Sequence, residues 1–141
     1  MARGTSDSRE TREPRVRLRR AYDPPERADG LRVLVDRLWP RGLARAEAHV
    51  DEWPKEITPS AELRRWYHAA ADRQRAWAEF RERYRVELAG SDAAGEALER
   101  LRERVRSGQV TLLTAVRDPE YGHAAVLAEL LTEPGARRAT S

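Results

Sequence analysis

The stretch QVTLLTAV, residues 109–116, is apolar on both faces and has the length of a β-strand. Runs of this kind are typical of central strands in parallel sheets, because such strands are covered on both sides. The stretch therefore predicts an α/β fold whose sheet is built around residues 109–116.

Three other stretches are interpreted as strands. RVRLRRAY, residues 15–22, alternates apolar residues with arginines, which indicates a half-solvated strand near a sheet edge. LRVLVDRLW, residues 31–39, predicts a more buried strand that ends near Asp36, before Pro40 and Gly42 turn the chain. A short helical turn and a further strand around residues 49–53 are expected in the segment that follows.

Helices are predicted between and after these strands. AELRRWYHA, residues 61–69, follows a start signal at Thr58 or Ser60, and HAAVLAELL, residues 123–131, closes the domain. Between them, one helix is expected from Asp72 to Gly90 and another from Ser91 or Asp92 to Gly108. The apolar residues at helical spacing in these two helices are Trp77, Phe80, Tyr84, Leu88, Ala94, Leu98, Leu101 and Val105.

Strands that alternate with helices indicate a three-layer α/β domain with a mainly parallel central sheet of about four strands and helices on both faces. Because the first two strands are joined by a short connection, an antiparallel or irregular pairing is an alternative there. The length of 141 residues suits one domain. We assign it to residues 15–133, with residues 1–14 and 134–141 as disordered tails.

Composition limits the function classes. Charged residues make up 36% of the chain, no apolar stretch reaches the roughly 20 residues that span a bilayer, and there is no cysteine. Disulfides, thiolate nucleophiles and cysteine-based metal sites are therefore not expected. We expect a cytoplasmic location.

The positive charge is concentrated at the N-terminus. Residues 1–20 carry a net charge of +4, while the whole chain carries +3, so the rest of the protein is nearly neutral. This distribution gives only weak support to nucleic-acid binding.

A functional site is expected at one edge of the sheet. In open α/β sheets, ligands bind beyond the carboxyl ends of the strands. Two loops follow predicted strands there: DRLWPRG, residues 36–42, and RDPEYGH, residues 117–123. Tyr22, at the end of the first strand, joins them if that strand runs parallel.

The residue types of these loops define the chemistry that we expect. Guanidinium groups bind carboxylate or phosphate in a fork, and the start of a helix adds a second element that attracts anions. A carboxylate or an imidazole beside an anion can transfer protons, and an indole ring offers a face to a base or a sugar. The expected ligand-binding residues are Tyr22, Arg37, Trp39, Arg41 and Arg117, and the expected catalytic residues are Asp36, Asp118 and His123.

These residues also have structural interpretations. Asp36 with Arg37 or Arg117 can form an ion pair that joins two strand ends. Asp118 can serve only as a helix N-cap, and His123 can simply contact a carbonyl group at a helix start. Of the four tryptophans, most are expected in the core.

Other features exclude familiar cofactor sites or leave alternatives open. His49, His68 and His123 lack metal-ligand spacing, so no metal site is expected. The chain contains no GxGxxG, P-loop or GxSxG motif, and we expect no cofactor. Arg64 faces either the same crevice or solvent.

Several motifs taken together resemble the YeaO-like proteins of a bacterial domain-of-unknown-function family. They are YDPP (22–25), GLRVLVDRLWPRG (30–42), EITPSAELRRW (56–66), WAEFRERYRVEL (77–88) and VTLLTAVRDPEYGHAAVL (110–127). The match runs from about Val16 to Leu131. It implies a Rossmann-like α/β architecture and the location of a site, and it implies no reaction.

The resemblance also shows where this chain departs from the family. Longer relatives carry a cysteine before the histidine that corresponds to His123 and another in the last strand, where this chain has Gly122 and Thr114. The departure removes any thiol-based mechanism. The spacing between Trp66 and Trp77 is longer than usual, so no family role is transferred to His68.

The leading hypothesis is that the protein binds a small anionic ligand, phosphorylated or nucleotide-like, between the two loops, with or without hydrolase or transferase activity. The second is a nucleic-acid-associated or regulatory module that uses the arginine-rich N-terminal segment. The third is a protein-interaction domain. No membrane association is expected, and no sequence feature specifies an oligomeric state.

Overall fold

Three parallel strands form the sheet in the computed structural model, which describes residues 15–133. They are β1 (Val16–Arg20), β2 (Leu31–Leu34) and β3 (Val110–Thr114), in the order β1-β3-β2. Val110 aligns with Val16 of β1 and with Leu31 of β2. The central position of β3, the edge position of β1 and the parallel pairing are thus confirmed, and no antiparallel pair forms among these strands. Both predicted tails lie outside the described residues.

The strand expected around residues 49–53 does not form, so the sheet has three strands rather than about four. Only an isolated parallel bridge between Val33 and Glu52 is present. The backbone of His49 is left-handed, with φ of 51°, and the N–H groups of Asp51 and Glu52 both donate to the Arg32 carbonyl oxygen at 2.8 and 3.2 Å. The Leu34 N–H donates in turn to the Glu52 carbonyl oxygen at 2.9 Å. The segment therefore pairs with β2 through this single bridge and does not continue as a ladder.

Within residues 15–133, five helices pack against or beside the sheet. The boundaries predicted at Ser60, Asp72 and Ser91 are confirmed, because each of these side chains accepts a hydrogen bond from the first turn of its helix. The helices are α1 (Arg45–Ala48), α2 (Ala61–Ala69), α3 (Arg73–Ala89), α4 (Asp92–Ser107) and α5 (His123–Thr132). Single turns of 3₁₀ helix cover Arg27–Asp29, Lys55–Ile57 and Pro119–Tyr121.

The two faces of the sheet are covered differently. On one face, Val110 and Leu112 pack with the buried residues of α2, α3, α4 and α5 in the main core. On the other, Leu34 and Leu113 pack against Trp39 and Trp53, which come before and after the single turn of α1 in the chain. The prediction of helices on both faces is therefore confirmed only in part, because the long helices all lie on one face of the sheet.

The N-cap of α2 joins two helices and provides a test of this packing. Ser60 Oγ accepts from the Leu63 N–H at 3.0 Å and donates to a carboxylate oxygen of Glu87, on α3, at 2.5 Å. We expect Ser60→Ala to lower the free energy of unfolding by about 1–2 kcal/mol, because it removes both contacts. Urea denaturation checks this value, and Ser60→Thr, which keeps the hydroxyl, is expected to lose less than half as much.

Candidate functional site

A cavity of about 460 Å³ lies at the carboxyl ends of the strands. Its volume is in the range of small-molecule sites. Six of the eight predicted site residues line it: Tyr22, Asp36, Arg37, Trp39, Arg41 and His123. Arg117 and Asp118 are exposed and do not line it. Asp118 also makes no side-chain cap, although it precedes the 3₁₀ turn.

Asp36 is bonded to three groups at the centre of this edge. One carboxylate oxygen accepts from the Thr114 hydroxyl at 2.7 Å, and the other accepts from the Ala115 N–H at 2.7 Å. His123 Nε2 lies 3.0 Å from the first oxygen. These bonds join the end of β2, the end of β3 and the first residue of α5. The ion pair with Arg37 or Arg117 is not formed.

The contacts of His123 fix which ring nitrogen carries hydrogen. Nε2 lies 3.0 Å from the Val35 carbonyl oxygen as well as 3.0 Å from the Asp36 carboxylate. Both groups can only accept, so Nε2 must be the donor. The predicted carbonyl contact of His123 is thus present together with the carboxylate contact.

The same bonds determine the ionisation of Asp36. Burial alone would raise the pKa of this carboxyl group. The hydrogen bond from His123, the charge of its protonated form, and the donors from Ala115 and Thr114 outweigh burial, and they hold the pKa of Asp36 below its ordinary value of 3.8. Asp36 is therefore a carboxylate at neutral pH.

Trp39 and Tyr22 shape the loop that follows β2. The indole N–H of Trp39 donates to the Leu43 carbonyl oxygen at 2.6 Å, and the Tyr22 hydroxyl donates to the Arg41 carbonyl oxygen at 3.0 Å. The guanidinium carbon of Arg45 lies 4.3 Å from the centre of the Trp39 ring. Both aromatic residues thus line the cavity while their polar atoms hold the loop.

Four arginines line the cavity without carboxylate partners: Arg37, Arg41, Arg64 and Arg73. Within residues 15–133, none of the four forms an ion pair or donates a side-chain hydrogen bond. Arg64 Nε is buried and has no partner in this part of the chain. Asp36 is the carboxylate among the lining residues, and its oxygens already accept from Thr114, Ala115 and His123.

The arginines of β1 behave differently. Arg17 and Arg19 bond to the carboxylate of buried Asp29 at 3.1 and 2.8 Å and also lie near Glu26. These guanidinium groups are already neutralised, so they do not support the nucleic-acid hypothesis. Residues 1–14, which carry the rest of that hypothesis, lie outside the described part of the chain, and it stays a prediction there.

The helical wall of the cavity is not among the predicted site residues. It consists of Arg64, Tyr67, His68 and Arg73, all of which line the cavity, whereas the sequence indicates two possible orientations for Arg64 and no family role for His68. Arg64 and His68 are four residues apart and therefore lie on one face of α2. This spacing was the available signal.

The fold and the site define a small α/β domain with an arginine-lined cavity at the carboxyl edge of a parallel sheet. The chain belongs to the family described as "Inactive DUF488-N3 subclade", whose model matches residues 15–141. The resemblance seen in the sequence is therefore confirmed.

Relatives in other bacteria support this assignment. The chain is 43% identical over 116 residues to "Uncharacterized protein YeaO" of Escherichia coli K12, an alignment that covers 82% of this chain and 96% of that protein. It is 45% identical over 120 residues to "Uncharacterized protein Rv3073c" of Mycobacterium tuberculosis H37Rv and to "Uncharacterized protein Mb3100c" of Mycobacterium bovis, covering 85% of this chain and 96% of each relative. No solved structure matches the chain. Within residues 15–133, no helix has the length and apolar character to cross a membrane.

Proposed function

We propose that the protein binds a small anionic ligand, phosphorylated or nucleotide-like, in the cavity at the carboxyl edge of its Rossmann-like sheet. The observation that carries the proposal is the set of four cavity arginines without partners in residues 15–133, facing one carboxylate that is already bonded. Like charges gathered in one cleft repel each other, and a bound anion offsets that repulsion. Guanidinium groups also match the geometry of phosphate and carboxylate oxygens.

The start of α5 also fits an anionic ligand. The first turn of α5 has no side-chain cap, so its backbone N–H groups add positive potential at the same edge. We also propose a cytoplasmic location, which the absence of cysteine suits.

Binding without turnover is the form of the proposal that we favour, since the matched family is described as inactive. Hydrolase or transferase activity is the second candidate. It is favoured by the bonded pair of Asp36 and His123, which can orient an imidazole for proton transfer at the cavity wall. Asp118, exposed and outside the cavity lining, takes no part in either version.

A thermal-shift series with inorganic phosphate, ribose 5-phosphate and AMP tests binding. A ligand at ten times its Kd is expected to raise Tm by about 5 °C. Arg37→Ala and Arg64→Ala are each expected to weaken binding roughly tenfold, because each removes charge-assisted hydrogen bonds. Arg100→Ala, on an exposed part of α4, is the matched control and is expected to bind like the parent protein.

The proposal fails if none of these anions shifts Tm, or if the cavity variants and the control respond alike. Release of phosphate from ribose 5-phosphate or AMP by the parent protein, lost in His123→Ala, would establish the hydrolase alternative.

A further inference from the structure

The helical wall of the cavity gathers three basic side chains. Arg64 and His68 lie one turn apart on α2, and Arg73 is the first residue of α3. The guanidinium carbon of Arg73 lies 5.5 Å from the centre of the Tyr67 ring. All three basic residues line the cavity, as do residues of the loop that follows β2.

The charge of this cluster is not balanced within residues 15–133. Arg64 Nε is buried without a partner, and neither Arg64 nor Arg73 forms an ion pair. Basic groups from three elements oppose a proton on His68: Arg64 on its own helix, Arg73 on α3 and the imidazole of His123 on α5. Partial burial and these charges lower the pKa of His68 below its ordinary value of 6.5, so its ring is neutral at pH 7 in the free protein.

We propose that this cluster binds a dianionic phosphoryl group, as carried by a phosphate monoester, and that His68 takes up a proton when the group binds. The inference rests on the proposed function and names its ligand class. Two guanidinium groups and one imidazolium present donors to the three terminal oxygens of a monoester. A phosphodiester has one negative charge and two free oxygens, so it lacks both the charge and an acceptor for His68.

The protonation follows from the sign of the local field. In the free protein, the neighbouring positive charges oppose a proton on His68. A bound dianion reverses the local field and favours the imidazolium form. Affinity therefore rises as pH falls from 8 towards the range in which His68 is protonated in the complex. It declines again below about pH 6, where a phosphate monoester itself becomes a monoanion.

Calorimetric titration with AMP and with 3′,5′-cyclic AMP tests the charge requirement, because the two nucleotides share a base and a sugar and differ in the phosphate. We expect AMP to bind at least tenfold more tightly at pH 7. Titration of AMP in two buffers of different ionisation enthalpy is expected to show uptake of a substantial fraction of one proton.

His68→Gln tests the role of the imidazole, since this exposed position tolerates the change without loss of the fold. We expect the proton uptake to disappear, AMP to bind about tenfold more weakly at pH 6.5, and the rise in affinity between pH 8 and 6.5 to flatten. His49→Asn is the control. His49 is also exposed, lies outside the cavity lining and has the left-handed backbone that asparagine tolerates.

The outcomes separate the two proposals. If AMP and cyclic AMP bind equally well, or if His68→Gln leaves affinity and proton uptake unchanged while Arg37→Ala weakens binding, the dianion site is wrong and the anion cavity stands. If inorganic phosphate, ribose 5-phosphate and AMP all fail to bind the parent protein, both proposals are overturned.

Discussion

Asp29→Asn is expected to lower the free energy of unfolding by about 3–5 kcal/mol, because it breaks a buried ionic cluster. The Asp29 side chain is fully buried, and it accepts from Arg17, Arg19 and Arg32 and from the Glu26 N–H. Asparagine offers one acceptor oxygen where this cluster uses two, and it leaves the neighbouring guanidinium charges uncompensated. Guanidinium chloride denaturation measures the loss.

The same residue gives the protein a defined acid sensitivity. Burial raises the pKa of Asp29, but the bonds from Glu26 and Arg32 and the charges of Arg19 and Arg32 outweigh it and bring the pKa below the ordinary 3.8. A carboxyl group with a lowered pKa contributes stability that is complete above its unfolded pKa and is lost as pH falls through the folded value. Asp29→Asn is therefore expected to flatten the decline of stability below about pH 4.

Glu26→Gln serves as the control for this cluster. Glu26 is exposed and pairs with Arg17 and Arg19 at 3.3 and 3.6 Å. Exposed pairs contribute at most about 1 kcal/mol, so this variant is expected to stay close to the parent. An Asp29→Asn variant that is also within 1 kcal/mol of the parent would show that the cluster does not stabilise the fold.

The strands and helices could be predicted because their signals are local. A strand covered on both faces must be apolar at successive positions, and residues 110–114 are buried throughout. A helix N-cap needs one side-chain acceptor, which Ser60, Asp72 and Ser91 supply. The strand expected at residues 49–53 fails because its pairing depends on how the backbone returns to β2, and residue types do not specify that path.

The strand side of the candidate site could be predicted for a geometric reason. Parallel strands bring their carboxyl ends to one edge, so Asp36 and His123 meet although they are distant in sequence. Arg117 is exposed and does not line the cavity, although its neighbour Val116 does, and residue type alone does not indicate which of the two faces inward. The arginines of α2 and α3 could not be placed, since an amphipathic pattern does not reveal whether a polar face meets solvent or a cavity.

Asp36→Asn is expected to lower the free energy of unfolding by roughly 2–3 kcal/mol, because a charge-assisted network becomes a mismatched one. Both carboxylate oxygens accept hydrogen bonds, from Thr114 and His123 on one side and from the Ala115 N–H on the other. An asparagine NH₂ group at either place sets donor against donor, and the Ala115 N–H cannot rotate away. The carboxyl group has a lowered pKa, so its contribution is lost as pH falls, and asparagine is expected to remove that part of the acid sensitivity.

Thr114→Val is the graded comparison for Asp36→Asn. It removes one of the three donors to the carboxylate and is expected to lower the free energy of unfolding by about 1 kcal/mol, while His123 keeps its bond to Asp36.

Imidazole ¹⁵N chemical shifts distinguish a network that only stabilises the fold from one that also orients His123. In the parent protein and in Thr114→Val, hydrogen is expected on Nε2, facing the carboxylate and the Val35 carbonyl group. In Asp36→Asn the two tautomers are expected to mix, because the carboxylate that selected one of them is gone. Unchanged shifts in Asp36→Asn would mean that the Val35 carbonyl alone orients the ring, and Asp36 would then have no part in presenting His123 to the cavity.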